Sequence, residues 1–306
     1  MTAHGILRIG LLGTGPWASR VHAPSLASHP DVAFTGVWGR RPEAARDLAA
    51  EHDVRVYDSP EDLFADVDAV AVALPPSVQS DLAERAAHAG CHLLLDKPLA
   101  TDVASARAAA QAVARAGTAS VVFLTARFGA QESAWIAEQA DAGGWFTAHA
   151  DWLGSLFAAD SDSPYAESPW RREKGALWDV GPHALSVLLP VLGDVSALAA
   201  RRGPGDTVLL TLHHHTGAAS TATLSLTAPR RAAGVQVTLR GTSGVASLPP
   251  QSEGPQDAYR RAIDALLTSA RTGGGHPCDI QHGLRLTELL AAAETSLAAG
   301  GATVTV

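Results

Sequence analysis

Lysine is scarce in this chain: Lys97 and Lys174 are the two lysines among 23 basic residues. A lysine kept where arginine is the default cation marks a place for a compact ammonium that can lose its proton, which a guanidinium cannot. Lys97 follows the apolar run Leu93-Leu94-Leu95 and stands between Asp96 and Pro98. The plain alternative is a surface lysine at a strand end, since lysine is rarely buried. A second reactive cluster is Trp170-Arg171-Arg172-Glu173-Lys174-Gly175-Ala176-Leu177-Trp178-Asp179-Val180-Gly181-Pro182-His183. Pro182 suits the first position of a helix running to Leu192, which puts His183 in the first turn. There the helix dipole favours a neutral imidazole, as a general base requires. Asp179, four residues earlier, can orient that ring through one of its nitrogens. A capping aspartate and a packed core histidine are the plain readings of this pair. Two ligands without a third nearby argue against a metal.

The third cluster is Gly13-Thr14-Gly15-Pro16-Trp17-Ala18, a G-x-G-x-x-A after the strand-like run Ile6 to Leu12 and before a helical pattern. Gly13 serves a tight turn, Gly15 lets a pyrophosphate approach the backbone, and a small Ala18 permits close helix–strand packing. The phosphate would sit at the helix N-terminus. An ordinary glycine turn is the alternative. At the end of the next strand an NAD-binding unit usually carries an acid for the ribose hydroxyls. Here the chain reads Gly39-Arg40-Arg41-Pro42-Glu43. An arginine pair can grip a 2′-phosphate that an acid would repel, so NADP is expected over NAD. The plain reading is a solvated arginine pair opening a helix.

These clusters need elements to position them. Val32 to Trp38, Val54 to Tyr57, Ala69 to Leu74, His92 to Leu95 and Ser120 to Leu124 read as strands, with helices between them. Ser59 and Thr101 are the expected caps of two of those helices. Such alternation gives a doubly wound parallel sheet, whose ligands bind at the carboxyl ends of the strands. The glycine loop, Arg40, the Leu74-Pro75-Pro76 turn with Gln79 just beyond, and Asp96-Lys97 share that edge. After Leu124 the pattern changes to a helix (Gln131 to Ala142), several alternating β runs and two late helices. That predicts an α+β domain with a large, mostly antiparallel open-faced sheet over 125–306, after a dinucleotide-binding domain over 1–124. An open sheet face needs covering, so a homodimer or homotetramer through that sheet is expected. The loop Ala158 to Ser168 is polar and lid-like, and His213-His214-His215 reads as a partly exposed strand.

Composition narrows the classes. A net charge of −8 argues against a nucleic-acid partner. Two distant cysteines, Cys91 and Cys278, suit a reduced cytoplasmic protein. The N-terminus lacks a basic, apolar leader, and no run of about 18 apolar residues predicts a membrane span.

Taken together, Ile9-Gly10-Leu11-Leu12-Gly13-Thr14-Gly15, Asp96-Lys97-Pro98, Gly175 to His183 and the turn Gly241-Thr242-Ser243-Gly244 resemble the Gfo/Idh/MocA family (glucose–fructose oxidoreductase, inositol dehydrogenase, rhizopine catabolism). The resemblance covers nearly the whole chain. It implies a Rossmann domain, a second domain whose open sheet mediates oligomers, and NAD(P)-dependent interconversion of a secondary alcohol and a ketone, often on a sugar or cyclitol. By position it implies that Lys97, Asp179 and His183 are catalytic. The cofactor set is then Gly13, Thr14, Gly15, Pro16, Trp17, Gly39, Arg40, Arg41, Leu74, Pro75, Pro76, Gln79, Asp96 and Lys97. Arg127, Trp152, Trp170, Arg171 and Lys174 are substrate-side candidates, with Trp178 a further ring for stacking or packing. The chain departs from the family pattern at three places: Asp96 replaces a usual Glu, Gln79 replaces a usual His, and Lys174 replaces a usual Gly. Two other readings stand beside an enzyme of sugars: a non-catalytic, cofactor-sensing relative, and an enzyme of the same family acting on a dihydrodiol or imine.

Overall fold

The computed structural model describes residues 5–306. The expectation of no leader rests partly on residues 1–4, which lie outside the described residues. The chain opens with β1 (Leu7–Leu12), a π-helical turn (Ala18–His22), α1 (Ala23–Ala27), β2 (Val32–Trp38), α2 (Pro42–Glu51), β3 (Arg55–Val56), α3 (Pro60–Asp66), β4 (Ala69–Val72) and α4 (Pro76–His88). Next come β5 (His92–Asp96), α5 (Val103–Ala116), β6 (Ser120–Phe123), α6 (Thr125–Phe128), α7 (Ala130–Ala142), β7 (Trp145–Leu153), α8 (Pro169–Asp179) and α9 (Gly181–Leu192). The remainder is β8 (Val195–Arg202), β9 (Val208–His214), β10 (Ala219–Ser225), a 3-10 turn (Arg230–Ala232), β11 (Gly234–Gly241), β12 (Gly244–Ser247), α10 (Pro255–Thr272), α11 (Ile280–Ala298) and β13 (Val304–Thr305).

Six parallel strands form the first sheet in the order β3-β2-β1-β4-β5-β6. This is the doubly wound Rossmann order. The strands are apolar on both faces because both faces are covered. Ile9, Leu11, Ala69, Ala71 and Leu94 face one core with Leu26 and Phe123, while Leu12, Val70, Val72, Leu93 and Leu95 face another with Leu63 and Leu82. Ser59 caps α3, accepting from Asp62 N at 3.1 Å. The cap of α5 is Asp102 rather than Thr101: its carboxylate accepts from Ser105 N at 2.8 Å. A carboxylate is the stronger acceptor for an orphan helix N–H, and the helix starts one residue later than expected.

Seven strands form the second sheet in the order β12-β11-β7-β10-β9-β8-β13. Only β10 and β7 pair in parallel. Along β9, Val208, Leu210, Leu212 and His214 are buried while Leu209, Thr211 and His213 are exposed. That alternation is what a sheet with one covered face requires. The histidine run is thus split by the pleat, and buried His214 is held between Gly193 O at 2.7 Å and Ser220 Oγ at 2.8 Å.

The compact units are not two consecutive stretches. Residues up to Phe128 and Glu253–Leu284 form one, and Gly129–Ser252 with Arg285–Val306 form the other. The physical reason lies in α10, whose residues Ala258, Tyr259, Ala262, Ile263, Leu266 and Leu267 make one apolar face. That face fills the first sheet's core beside Leu26 and Phe123. In the second unit, residues 169–192 are long and apolar enough to cross a membrane by length and composition, and 78% of the most apolar 18-residue window within them is buried. Gly175, at φ 64° and ψ −162°, breaks it into kinked pieces, as suits packed core helices.

Candidate active site

In the first unit, β1 ends at Leu12, β2 at Trp38, β4 at Val72 and β5 at Asp96. Because these strands are parallel, the residues that follow them lie along one sheet edge. Gly13 has φ +129°, and a Cβ there would lie 2.4 Å from Ala73 O. Gly13 N donates to Trp38 O at 2.8 Å and Ala73 N to Leu12 O at 2.8 Å, so the turn is pinned on both sides. At Gly15 an added Cβ meets nothing within 4 Å, which leaves the backbone open to a ligand. Gly39 packs on Thr14: a Cβ would come within 2.6 Å of Thr14 Cγ2. Half-buried Trp17 and exposed Pro16 complete the loop. It enters a π-helical turn and the five-residue α1, which together are the helical pattern expected after the loop. Arg40 and Arg41 are exposed beyond β2, with Glu43 in the first turn of α2. Pro75 caps α4, Pro76 opens it, and Leu74 is half-buried before them.

The Lys97 turn is held by side chains. Lys97-Pro98 is a cis peptide. Gln79 is fully buried, and its Nε2 donates to Asp96 O at 2.7 Å, Pro98 O at 3.0 Å and Leu99 O at 3.3 Å. Its Oε1 accepts from Asp96 N at 2.9 Å. The amide is thus engaged on both its nitrogen and its oxygen by the backbone of the turn. Asp96 Oδ1 accepts from Lys97 N at 2.9 Å, while Oδ2 lies 3.7 Å from Nε2 of buried His22. His22 Nδ1 and the Tyr259 hydroxyl are 2.7 Å apart. Neither His22 nor Tyr259 was among the expected site residues. Arg127 lies on α6, just past the end of β6. Burial, with help from Arg127 and His276, pushes the His282 imidazole down to about 4. That ring is thus neutral at ordinary pH.

In the second unit, α8 and α9 carry the other cluster. Gly175 takes its left-handed conformation at the kink of α8. Asp179 ends α8 and is buried; its Oδ1 accepts from Arg171 Nε at 3.1 Å. The Arg171 guanidinium lies over the Trp170 ring at 4.6 Å and the Tyr165 ring at 5.5 Å. His183 is in the first turn of α9, as Pro182 predicts. Trp152 stacks flat on its imidazole, 5.4 Å between centroids and 8° between planes. Trp152 thus supports a histidine, a role the sequence did not suggest. Trp178 is fully buried, with Nε1 donating to Glu294 Oε1 at 2.7 Å. Lys174 Nζ meets the same oxygen at 3.3 Å and lies 5.0 Å over the Trp178 ring. Lys174 is therefore anchored by an ion pair and a ring. The lid-like loop 158–168 is turns joined by irregular backbone, tied down where Arg230 reaches Asp162 Oδ1 at 2.8 Å.

Comparison with known proteins agrees with this architecture. Residues 7–123 match the oxidoreductase family with an NAD-binding Rossmann fold, and residues 149–247 match the GFO/IDH/MocA C-terminal domain. The chain belongs to the Gfo/Idh/MocA family. UDP-N-acetylglucosamine 3-dehydrogenase of Acidithiobacillus ferrooxidans is 37% identical over 102 residues, 33% of this chain and 32% of that protein. Inositol 2-dehydrogenase of Rhizobium meliloti is 33% identical over 124 residues, 40% of this chain and 37% of that protein. The matches span about a third of the length of these curated relatives, 32% and 37%. Levoglucosan dehydrogenase, solved with NADH and levoglucosan, shares the fold at a TM-score of 0.84 and 19% identity, over 98% of this chain and 99% of that one.

Proposed function

We propose that this chain is an NAD(P)-dependent dehydrogenase or reductase that interconverts a secondary alcohol and a ketone on a sugar or cyclitol. The observation that carries the reading is the placement of Lys97 and the Gly13–Gly15 loop along one edge of a parallel sheet. The loop fits a dinucleotide: Gly13 makes a turn that no side chain fits, and Gly15 leaves open space for a phosphate. Gly13 to Trp17, Gly39 to Arg41 and Leu74 to Pro76 would hold the cofactor, which supplies the hydride acceptor or donor. In this reading Lys97 is the acid–base group of the first unit, polarising the substrate oxygen, and His183 is the general-base candidate of the second unit. Asp179 and the stacked Trp152 ring keep the second cluster in place. The relatives' own activities, on UDP-N-acetylglucosamine and inositol, support a polyol substrate here. A panel of sugars, cyclitols and ketosugars, read by nicotinamide absorbance, tests the class; no turnover on any member would count against it.

The cofactor is NADP in this reading. Arg40 and Arg41 stand exposed where an acid would otherwise meet the ribose. Arg40→Ala is expected to weaken NADPH binding about 10-fold or more and NADH by less than about 2-fold, since a charge-assisted hydrogen bond contributes about 1.5–3 kcal/mol. Equal losses for the two cofactors in a fluorescence titration would remove the phosphate argument. The outer face of the second sheet, with Leu209 46% and Val245 58% exposed, is covered by a second copy in the working enzyme. Light scattering at assay concentration checks this, and a monomeric mass would contradict it.

A further inference from the structure

The turn that carries Lys97 has more side-chain support than a strand end needs. Gln79 grips it from within the first unit, bonding residues on both sides of the lysine: Asp96 before it, Pro98 and Leu99 after it. Asp96 is the last residue of β5, and the Pro98 and Leu99 carbonyls lie beyond the strand, where no ladder satisfies them. The second support runs through Asp96, whose carboxylate accepts from Lys97 N and faces His22. His22 is fully buried and its ring lies against that of Tyr259, with centroids 4.1 Å apart. The order of groups is Tyr259 hydroxyl, His22 imidazole, Asp96 carboxylate, Lys97 amide. One tautomer suits it: the tyrosine donates to Nδ1, and Nε2–H faces the carboxylate at 3.7 Å, an electrostatic approach rather than a hydrogen bond. Burial and the nearby Asp96 raise the Tyr259 hydroxyl well above the usual phenol range, so it keeps the proton it donates. Asp96, at 16% side-chain exposure, is more open than the fully buried His22 and Tyr259.

We propose that Gln79, together with the Tyr259–His22 pair acting through Asp96, forms a two-sided clamp of positioning residues that sets where the Lys97 amine is held. Gln79 and Asp96 are both places where the chain departs from the family pattern, and they meet at this one turn. The inference rests on the reading of Lys97 as the group that acts on the substrate oxygen. None of these residues needs to touch the substrate. Their effect is on the aim of the lysine, and aim matters because displacements of about 1 Å at a catalytic group can cost about 100-fold in rate.

The two lysines of the chain give a test that does not depend on turnover alone. Acetic anhydride labels lysine amines, and peptide mass spectrometry counts Lys97 and Lys174 separately. Lys174, anchored by Glu294 in the other unit, is the internal reference. Gln79→Ala is expected to change the Lys97-to-Lys174 labelling ratio by at least about 3-fold and to lower kcat by about 10- to 100-fold. The cofactor dissociation constant and KM should stay within about 2-fold. Gln79→Ala leaves buried carbonyls unpaired and can fail to fold, so Tyr259→Phe, which removes one oxygen, is the second variant. It should move the ratio and kcat in the same direction, by about 3- to 10-fold in kcat. A general loosening of the protein would instead raise labelling at both lysines and leave the ratio unchanged. Folded Tyr259→Phe with unchanged ratio and kcat, or Gln79→Ala with the same result, overturns the clamp. Lys97→Ala is run alongside. If that variant keeps its turnover, the functional reading of Lys97 fails, while the labelling ratios still decide whether the clamp exists.

Discussion

Lys97→Ala loses about 10²–10⁴-fold in kcat and retains its affinity for the nicotinamide cofactor, because one positioned acid–base group contributes a factor of that size. Two structural facts make the outcome specific. The turn is fixed by Gln79 and Asp96 through the backbone of residues 96–99, and none of those bonds uses the lysine side chain. Removing the side chain therefore leaves the turn standing. The glycine loop is likewise untouched, since its own pins run from Gly13 to Trp38 and from Ala73 to Leu12. Stopped-flow turnover and a cofactor titration on the same preparation separate the two effects. Undiminished turnover would end the assignment; a parallel collapse in cofactor affinity would make Lys97 a binding residue instead.

Gly13→Ala is expected to destabilise the protein by about 2–4 kcal/mol and to abolish measurable cofactor binding, whereas Gly15→Ala should weaken cofactor binding and leave stability near that of the unsubstituted protein. The contrast comes from the surroundings. At Gly13 the backbone is left-handed and a methyl would lie 2.4 Å from the Ala73 carbonyl, in a turn pinned by two strands. Neither the alanine nor the carbonyl can move without breaking a strand-end hydrogen bond. At Gly15 a methyl enters open space, the same space a phosphate would use. Urea unfolding and isothermal titration of both variants check the pair. Equal stability losses would mean that the two glycines share a purely structural role.

What could be read in advance was local. The first sheet, its strand order class, the G-x-G-x-x-A turn and the start of α9 around Pro182 all follow from short patterns of residue type. The missing pieces depend on partners distant in sequence. Tyr259 meets His22 across 237 residues, and Lys174 meets Glu294 across 120. No spacing rule links such pairs. Gln79 looked like a cofactor residue because it follows a turn at the ligand edge, yet its amide bonds the backbone of a neighbouring turn. Trp152 looked like a sugar platform because tryptophan often is one; in the fold its ring lies on His183. The return of α10 to the first unit was hidden for a related reason. Its apolar stripe says that it packs, and only the assembled core at Leu26 and Phe123 says where.

The most direct test of the proposed hydride transfer uses the best polyol from the panel, deuterated at the carbon that bears the reacting hydroxyl. After one turnover with oxidised cofactor, mass spectrometry of the reduced nicotinamide should show the deuterium, and the rate should slow relative to the protiated substrate. Lys97→Ala and His183→Ala should leave the label on the substrate. Product formed without deuterium in the nicotinamide, or full transfer by both variants, would contradict the account.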